Sequence, residues 1–505
     1  MHLSHQPRRH PLASTERAQH ERGYVMVTFA LLLVPLLLMV GLSVDVGGWY
    51  NRSSDIQKAA DAAALAGVVW LPDVAKATTY AKEAAKRNGY EDGVNNISVT
   101  VAQISDRRLR VTIKDAKVNS FFYQKIGGST IDLSRKGTAE YVLPVPLGSP
   151  ENRLGNDPTA SPAYTPNLWA SISAPYTDRA NGDPYSTKCA NGTSGTSCGN
   201  GNIEYRNYGY LYIVDVPASA VGQTLKVEVY DAGHYARSNY PNVETADNGT
   251  VNTQFELFSP DDTPLNTLDG LTSSYSQEGD CSAGPGRLYL ASGASATTYQ
   301  NKWATLCQVN VTKAGQWVLQ VKSSNISGVT DSGSGWNQFS LRSSLSGSVQ
   351  PQLYTVGDLS LFNNLPGQTG NINSTFYLAK IESQHAGKTL QVSLFDPGDG
   401  LSGTYYVNLL GPGGTTQACN YGERGTTKVA LSNCRIQTRT SAGVNTYNGK
   451  WLDIDIVLPN NYSCTTDCWW KVKYEFVGVT SGNSPNDRTV WAARVIGDPV
   501  HLIEE

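Results

Sequence analysis

No cysteine occurs before residue 189, and beyond the first few dozen residues no basic stripe and no long apolar run appears. Charged residues are only 16% of the 505, and the net charge is −3. These absences exclude nucleic acid as a partner, because a phosphate backbone is met by clustered lysine and arginine. The part of the chain that holds the cysteines has only His234, His385 and His501, none near a cysteine pair, which argues against zinc. No His-Glu-x-x-His run occurs. Two aspartates meeting in space remain the one catalytic arrangement that sequence leaves open. The chain reads as no enzyme and as needing no cofactor. What is abundant instead is Gly (48) and Tyr (27), the profile of an exported β-protein with many turns.

One apolar run stands out. Tyr24 to Val44 carries no charge. At about 1.5 Å per residue it makes a helix of roughly 31 Å, enough to cross a hydrocarbon core of about 30 Å. Arg8, Arg9, Arg17 and Arg22 precede it and Asp45 follows. Positive charge stays on the cytoplasmic side, so residues 1–23 are expected as a cytoplasmic basic arm and everything beyond Asp45 outside. The competing reading is a cleaved signal peptide, whose apolar core spans only about 7–15 residues. This run is longer, and the Ala-rich stretch behind it continues as helix, which favours an uncleaved membrane anchor. Pro35 is tolerable mid-span as a kink.

Beyond the span, Ser53–Val69 and about Asp73 to Asn88 have helix-forming composition, with Gly89 as a stop. Period-two alternation predicts strands at Ile97–Ile104, Arg108–Ile113 and Ser129–Tyr141, with a short apolar turn at Phe121–Phe122. Residues 45–142 are thus expected as a small α+β head. Residues 143–202 hold eight prolines and are expected as a Pro/Gly-rich linker. Beyond them lies an internal correspondence: Val221–Gly233 (VGQTLKVEVYDAG) matches Ala386–Gly398 (AGKTLQVSLFDPG), and Lys302-Trp303 matches Lys450-Trp451. The fold class expected is a transmembrane helix, an α+β head and mainly-β tandem β-sandwich domains at 203–348 and 349–505.

The cysteines fall into neighbouring pairs, Cys189 and Cys198, Cys281 and Cys307, Cys419 and Cys434, Cys464 and Cys468. An even count on the exported side reads as disulfides, with neighbour pairing the economical connectivity.

The stretch Arg22 to Gly67 resembles the N-terminal motif of the TadE/TadG-like proteins of Flp (Tad) pilus assembly. Arg22-Gly23 stands before the span, Asp45 after it, and Ile56 through Ala66 reads IQKAADAAALA. Where pseudopilins of the TadE kind carry a Glu as fifth residue of the mature chain, this sequence has Thr28. That departure resembles TadG-like members and speaks against cleavage after Gly23. The resemblance implies pilus-assembly proteins as partners through the N-terminal helix, and hence a membrane-anchored component of Flp/Tad pilus assembly or a related secretion apparatus. The alternative is a cell-surface adhesin or carbohydrate-binding protein on the same anchor, with a surface glycan or protein as ligand.

The candidate site residues follow. Asp45, Ala60, Asp61, Ala63, Ala64 and Gly67 are candidates for a partner-helix interface, because small residues four apart let helices approach; the simpler readings are a boundary charge for Asp45 and a solvated helix face for Asp61. Asp231, Asp396 and Asp399 are weak calcium candidates, since Asp also favours turns without metal. Trp303, Trp317, Trp451, Trp469 and Trp470 suit either a sugar-stacking face or a sandwich core, and their matching positions favour core.

Overall fold

The computed structural model of the chain describes residues 16–71, 74–105, 108–128, 130–141, 145–190, 198, 201–235, 250–262, 267–292, 298–331, 333–481, 485–496 and 500–503. Arg8 and Arg9 of the expected basic arm lie outside them. The chain forms two units, Met1–Val142 with Val500–Glu505, and Leu143–Pro499.

In the first unit, helix α1 (Glu16–Val68) runs unbroken through Pro35 for 53 residues, about 80 Å long. Its apolar part is uncovered: Leu31 is 69% exposed and Leu37 59%. Both aliphatic hydroxyls of this stretch are satisfied by the helix itself. Thr28 donates to the Tyr24 carbonyl and Ser43 to the Met39 carbonyl. From Ser53 onward one face closes, with Ile56, Ala59, Ala60, Ala63, Ala64 and Val68 fully buried. The spacing of three and four is that of a single helical stripe. It packs on α2 (Val74–Arg87), whose Ala77, Ala81, Ala84 and Ala85 are its buried side, and on two strands of a sheet, Arg108–Val118 and Ile131–Tyr141.

That sheet is antiparallel, in the order β1 (Ile97–Ser105), β2 (Arg108–Val118), β3 (Ile131–Tyr141). Val99 pairs with Ile113 and Val101 with Val111. Leu109, Val111 and Ile113 are fully buried, as their alternation predicts. A fourth strand, Val500–Leu502, pairs with β3 through Val500 opposite Tyr141 and Leu502 opposite Ala139. The sequence reading placed these last residues in a second sandwich. They belong instead to the head sheet, so residues 143–499 are an insertion between two neighbouring strands of the head.

The second unit is built from two large sheets. The first runs through Arg287–Ala291, Asn252–Phe258, Gly315–Lys322, Tyr210–Val216, Gln352–Val356, Pro146–Gly148, Gly370–Lys380, Trp469–Val479, Thr404–Leu410 and Arg435–Arg439. The second runs through Trp303–Asn310, Thr224–Tyr235, Trp336–Leu345, Leu168–Ser173, Asp358–Asn364, Asn486–Ile496, Thr389–Phe395, Trp451–Val457, Cys419–Glu423 and Val429–Leu431. One continuous core, from Val145 to Ala493, fills the sandwich. Phe255 meets Phe339 edge to face at 5.0 Å in one half, and Tyr405 meets Phe476 at 4.6 Å in the other. The matched segments have matching neighbours. Thr224–Tyr235 lies between Trp303–Asn310 and Trp336–Leu345, and Thr389–Phe395 between Trp451–Val457 and Asn486–Ile496.

Residues 143–202, expected as a linker, supply the middle of both sheets. Pro146–Gly148 lies between Gln352–Val356 and Gly370–Lys380. Leu168–Ser173 lies between Trp336–Leu345 and Asp358–Asn364. Proline cuts the alternation into pieces too short to read as strands, and side chains take over as backbone partners. The buried Asp183 accepts from the Ser173 and Tyr185 amides at 2.8 and 3.1 Å and from the Tyr210 hydroxyl at 2.7 Å. Asn202 donates to the Pro184 and Thr187 carbonyls at 2.7 and 2.8 Å. The four neighbour disulfides form, with Cα–Cα distances of 5.2 to 5.4 Å.

Candidate functional site

The head's most specific arrangement is at the C-terminal end of the apolar run of α1. Asp45 is only 5% exposed, because the loop after β2 folds over it. Its carboxylate accepts from the backbone amides of Phe121, Phe122 and Tyr123 at 2.8, 2.8 and 2.7 Å. Such a fork of amides satisfies a carboxylate as a helix N-terminus does. A one-turn 3₁₀ helix, Tyr123–Ile126, begins there, and Gly127 closes it at φ 91°. The Phe122 ring lies against Gly41, where an added Cβ would come within 2.6 Å of it. Trp49 meets Tyr123 edge to face at 5.9 Å. Further along, Arg52 pairs with Asp115 at 2.7 Å and ties α1 to β2.

The residues expected to meet a partner helix are occupied within the head. Ala60, Ala63 and Ala64 have no exposed surface. A Cβ on Gly67 would stand 2.6 Å from Leu109 and 2.8 Å from the Ala77 carbonyl oxygen. Asp61 accepts from Gln57 at 2.9 Å, and Gln57 also donates to the Lys136 carbonyl. A Cβ on Gly137 would fall 2.6 Å from the Asp61 carboxylate. The small residues therefore let α1 lie close to its own sheet and to α2. The spacing was read for the right contact and the wrong partner. Asp45 likewise meets a loop of its own chain.

The three calcium candidates do not form one site: Asp396 and Asp399 adjoin each other, with a side-chain hydrogen bond between them, and Asp231 is on a separate strand. Asp231 accepts from the Gly233 amide at 3.1 Å. Asp396, at φ 56°, accepts from the Gly449 amide at 2.7 Å, and the partly accessible Asp399 accepts from Asn445 at 3.2 Å. Asp487 accepts from the Gly398 and Asp399 amides, both at 3.0 Å. Among the described residues no group of three or more His, Cys, Asp or Glu is placed to hold a metal ion. These aspartates organise turns. Burial pushes the Asp396 and Asp487 carboxyls well above the usual carboxylate range. The buried Arg488 beside them, its guanidinium 3.9 Å over the Trp336 ring, is pushed down to about 10 by its own burial.

Trp317, Trp451, Trp469 and Trp470 are buried at 1, 5, 4 and 2% exposure. Trp303 is half-buried and donates to Asp157 at 3.0 Å. A sugar-stacking face is not made from these tryptophans. The sequence reading missed a cavity of about 230 Å³ beside the shared central strands, lined by Arg153, Tyr164, Phe376, Tyr377 and Lys471 among others. Arg153 lies 3.9 Å over the Tyr164 ring and Lys471 4.8 Å over that of Tyr377. No sequence signal joins these residues, because two come from the Pro-rich segment and the others lie more than two hundred positions away.

Helix α1 is long and apolar enough to cross a membrane from Tyr24 on, and it passes without a break into the packed head. Residues 23–75 match the family described as "Putative Flp pilus-assembly TadE/G-like". The matched segment comprises the apolar helix, Asp45 and the Ala-rich stripe. No curated protein matches the chain. Among solved structures, infectious bursal disease virus of the Gx strain aligns at 11% identity over 66% of this chain and 71% of that one, with TM-score 0.13. The VP2 subviral particle of the same virus aligns at 11% identity over 66% and 75%, also with TM-score 0.13. At that score the likeness carries no argument about this chain.

Proposed function

We propose that the protein is a TadG-like, membrane-anchored component of Flp/Tad pilus assembly or a related secretion apparatus. It keeps its N-terminus inside the cell and presents the disulfide-bonded sandwich outside. The observation that carries this reading is the uncovered apolar helix continuing into a packed head, within the segment that matches the TadE/G-like family. The disulfides support an oxidising, exported location for the second unit. The chain acts by holding and presenting, not by catalysis.

The test is deletion of the gene, with pili counted and the tagged full-length protein purified from membranes. Loss of pili, with pilus-assembly proteins recovered alongside, supports the proposal. Intact pili and no such recovery sink it. Alkaline phosphatase fused after Leu502 checks orientation, since it is active only outside.

A second reading, an adhesin or surface-ligand-binding protein on the same anchor, is favoured by one observation. The cavity lined by Arg153, Tyr164, Tyr377 and Lys471 sets two cations beside two aromatic rings. It is smaller than the roughly 300–1,000 Å³ of common ligand clefts, which suits one small ring. Glycan-array binding that is lost in Tyr377→Ala, with piliation unchanged on deletion, selects this reading.

A further inference from the structure

We infer that the loop Asn119–Gly127 seats in the lipid bilayer beside the helix, with the Phe121 and Phe122 rings at the acyl–headgroup boundary and Asp45 holding the loop in place. This rests on the membrane-anchor reading.

The depth follows from the helix. Phe122 lies against Gly41, four residues before Asp45, which is about 6 Å toward the membrane at 1.5 Å per residue. The uncharged run ends at Val44, so the Phe122 ring sits alongside the last turn of the span. Phe121 is 72% exposed and the two rings meet edge to face at 5.0 Å. Phe122, seated against Gly41, still keeps 37% of its surface open.

Lipid is the fitting occupant for three reasons. The exposed apolar surface of α1 continues through this level, with Leu42 at 42%, Val46 at 50% and Tyr50 at 76% exposed. The ring-bearing patch is therefore an extension of a surface already facing hydrocarbon. Next, a carboxylate and three amides that would make such a loop costly in lipid are paired off, the Ser120 hydroxyl alone among the buried side-chain groups of the loop having no partner. The Asp45 carboxylate and the amides of residues 121–123 satisfy one another. Finally, the residues that follow the two rings in the chain are ones suited to headgroups, Tyr123 half-buried against Trp49, then exposed Gln124 and Lys125. Aromatic rings with a polar margin are what membrane–water boundaries select. The anchor would then hold the head at two points, by helix and by loop, which restrains its tilt.

The experiment uses the full chain reconstituted in phosphatidylcholine vesicles, labelled with a small environment-sensitive fluorophore at one introduced cysteine. Phe121→Cys is the probe position, Leu37→Cys the mid-span reference and Glu83→Cys, exposed on α2, the aqueous reference. Lipids carrying a spin label near the headgroup or deep in the chain serve as quenchers. The expected result is quenching at position 121 by the shallow label at least threefold that at position 83, with position 37 quenched by the deep label. If position 121 behaves like position 83 while position 37 is quenched, the loop inference is overturned and the anchor stands. A probe at 121 shielded from aqueous iodide but untouched by either lipid quencher means a protein covers the loop, which also overturns it. If position 37 is not quenched, the anchor reading itself fails.

Discussion

The hydroxyls of Ser171 and Ser360 face each other at 3.2 Å on adjacent antiparallel strands, both without exposed surface, in the middle of one sheet of the sandwich. Ser171 comes from the Pro-rich segment and Ser360 from the segment expected as the second sandwich, residues 349–505. The halves are therefore joined through sheet hydrogen bonds and a common core, and a flexible tether is absent between them. A fragment of residues 203–348 alone would leave Tyr210–Val216 and Trp336–Leu345 as open, apolar edges. We expect that fragment to aggregate, while residues 145–499 stay monomeric and unfold in one transition. Size-exclusion chromatography and thermal melts by circular dichroism check this.

The legible parts of the sequence were those with long, regular periodicity. The uncharged run of 24–44 and the stripe of Ile56, Ala59, Ala60 and Ala63 declare one exposed and one packed section of the same helix. The strands around Val99, Val111 and Ile113 declare themselves by alternation. Neighbouring cysteines declared their pairing by economy. What was not legible depends on contacts distant in sequence. Pro146–Gly148 is three residues long, and no pattern in it says that it lies between strands two hundred residues onward. Val500–Leu502 looks like any β-branched tail until Tyr141 and Ala139 are found opposite it. Small-xxx-small spacing announces close packing, but a sequence does not say whether the other surface belongs to the same chain. Asp45 was read as a boundary charge, since the amides it binds lie 76 to 78 positions away.

Asp183 is the peg that holds the Pro-rich segment in the sandwich. Replacing it with Ala leaves the amides of Ser173, Tyr185 and Ser186 and the Tyr210 hydroxyl, all in buried surroundings, without that acceptor. Each orphaned donor costs about 1–3 kcal/mol. Asp183→Ala should therefore lower the stability of the second unit by about 4 kcal/mol or more. Asp183→Asn keeps one carbonyl oxygen as an acceptor and should lose less. Urea titration followed by tryptophan fluorescence gives the order of the two variants.

The pH dependence of the sandwich should run opposite to that of a protein held by surface ion pairs. Burial holds the folded-state values of Asp396 and Asp487 well above those of an unfolded chain. A group raised on folding stabilises fully below its unfolded value, about 3.9, and that contribution is lost as pH rises through the folded value. Asp157, Glu228, Asp453 and Glu475 carry lowered values despite the opposing effect of burial. Hydrogen bonds and nearby cations lower them, and their contribution is lost only in stronger acid. Melting temperature should thus rise as pH falls from 8 to 5. Asp487→Asn retains an oxygen for the Gly398 and Asp399 amides while removing a charge, so it should melt higher than the parent at pH 8 and show a shallower slope. Calorimetry of both proteins at three pH values decides; a parent with no slope refutes the assignment.

The tie between Asp45 and the loop should be measurable as a local opening. One carboxylate oxygen takes the Phe121 amide and the other takes those of Phe122 and Tyr123. In Asp45→Asn the side-chain oxygen can keep the latter two, but an NH₂ group then confronts the Phe121 amide. In Asp45→Ala all three amides lose their acceptor. At about 1 kcal/mol or more per bond to a charged group, the Ala variant should open the loop by at least about 3 kcal/mol, and the Asn variant by roughly half of that. Lys125 is exposed within the loop, so trypsin in detergent solution reports the opening directly. Where opening and closing are fast relative to cleavage, the rate follows the open population, and each 1.4 kcal/mol is about tenfold. Cleavage after Lys125 should then accelerate about a hundredfold in Asp45→Ala and about tenfold in Asp45→Asn, while cleavage at lysines of the second unit keeps the parent rate. Equal rates in all three proteins would mean that the loop is held by its rings against Gly41 and not by the carboxylate.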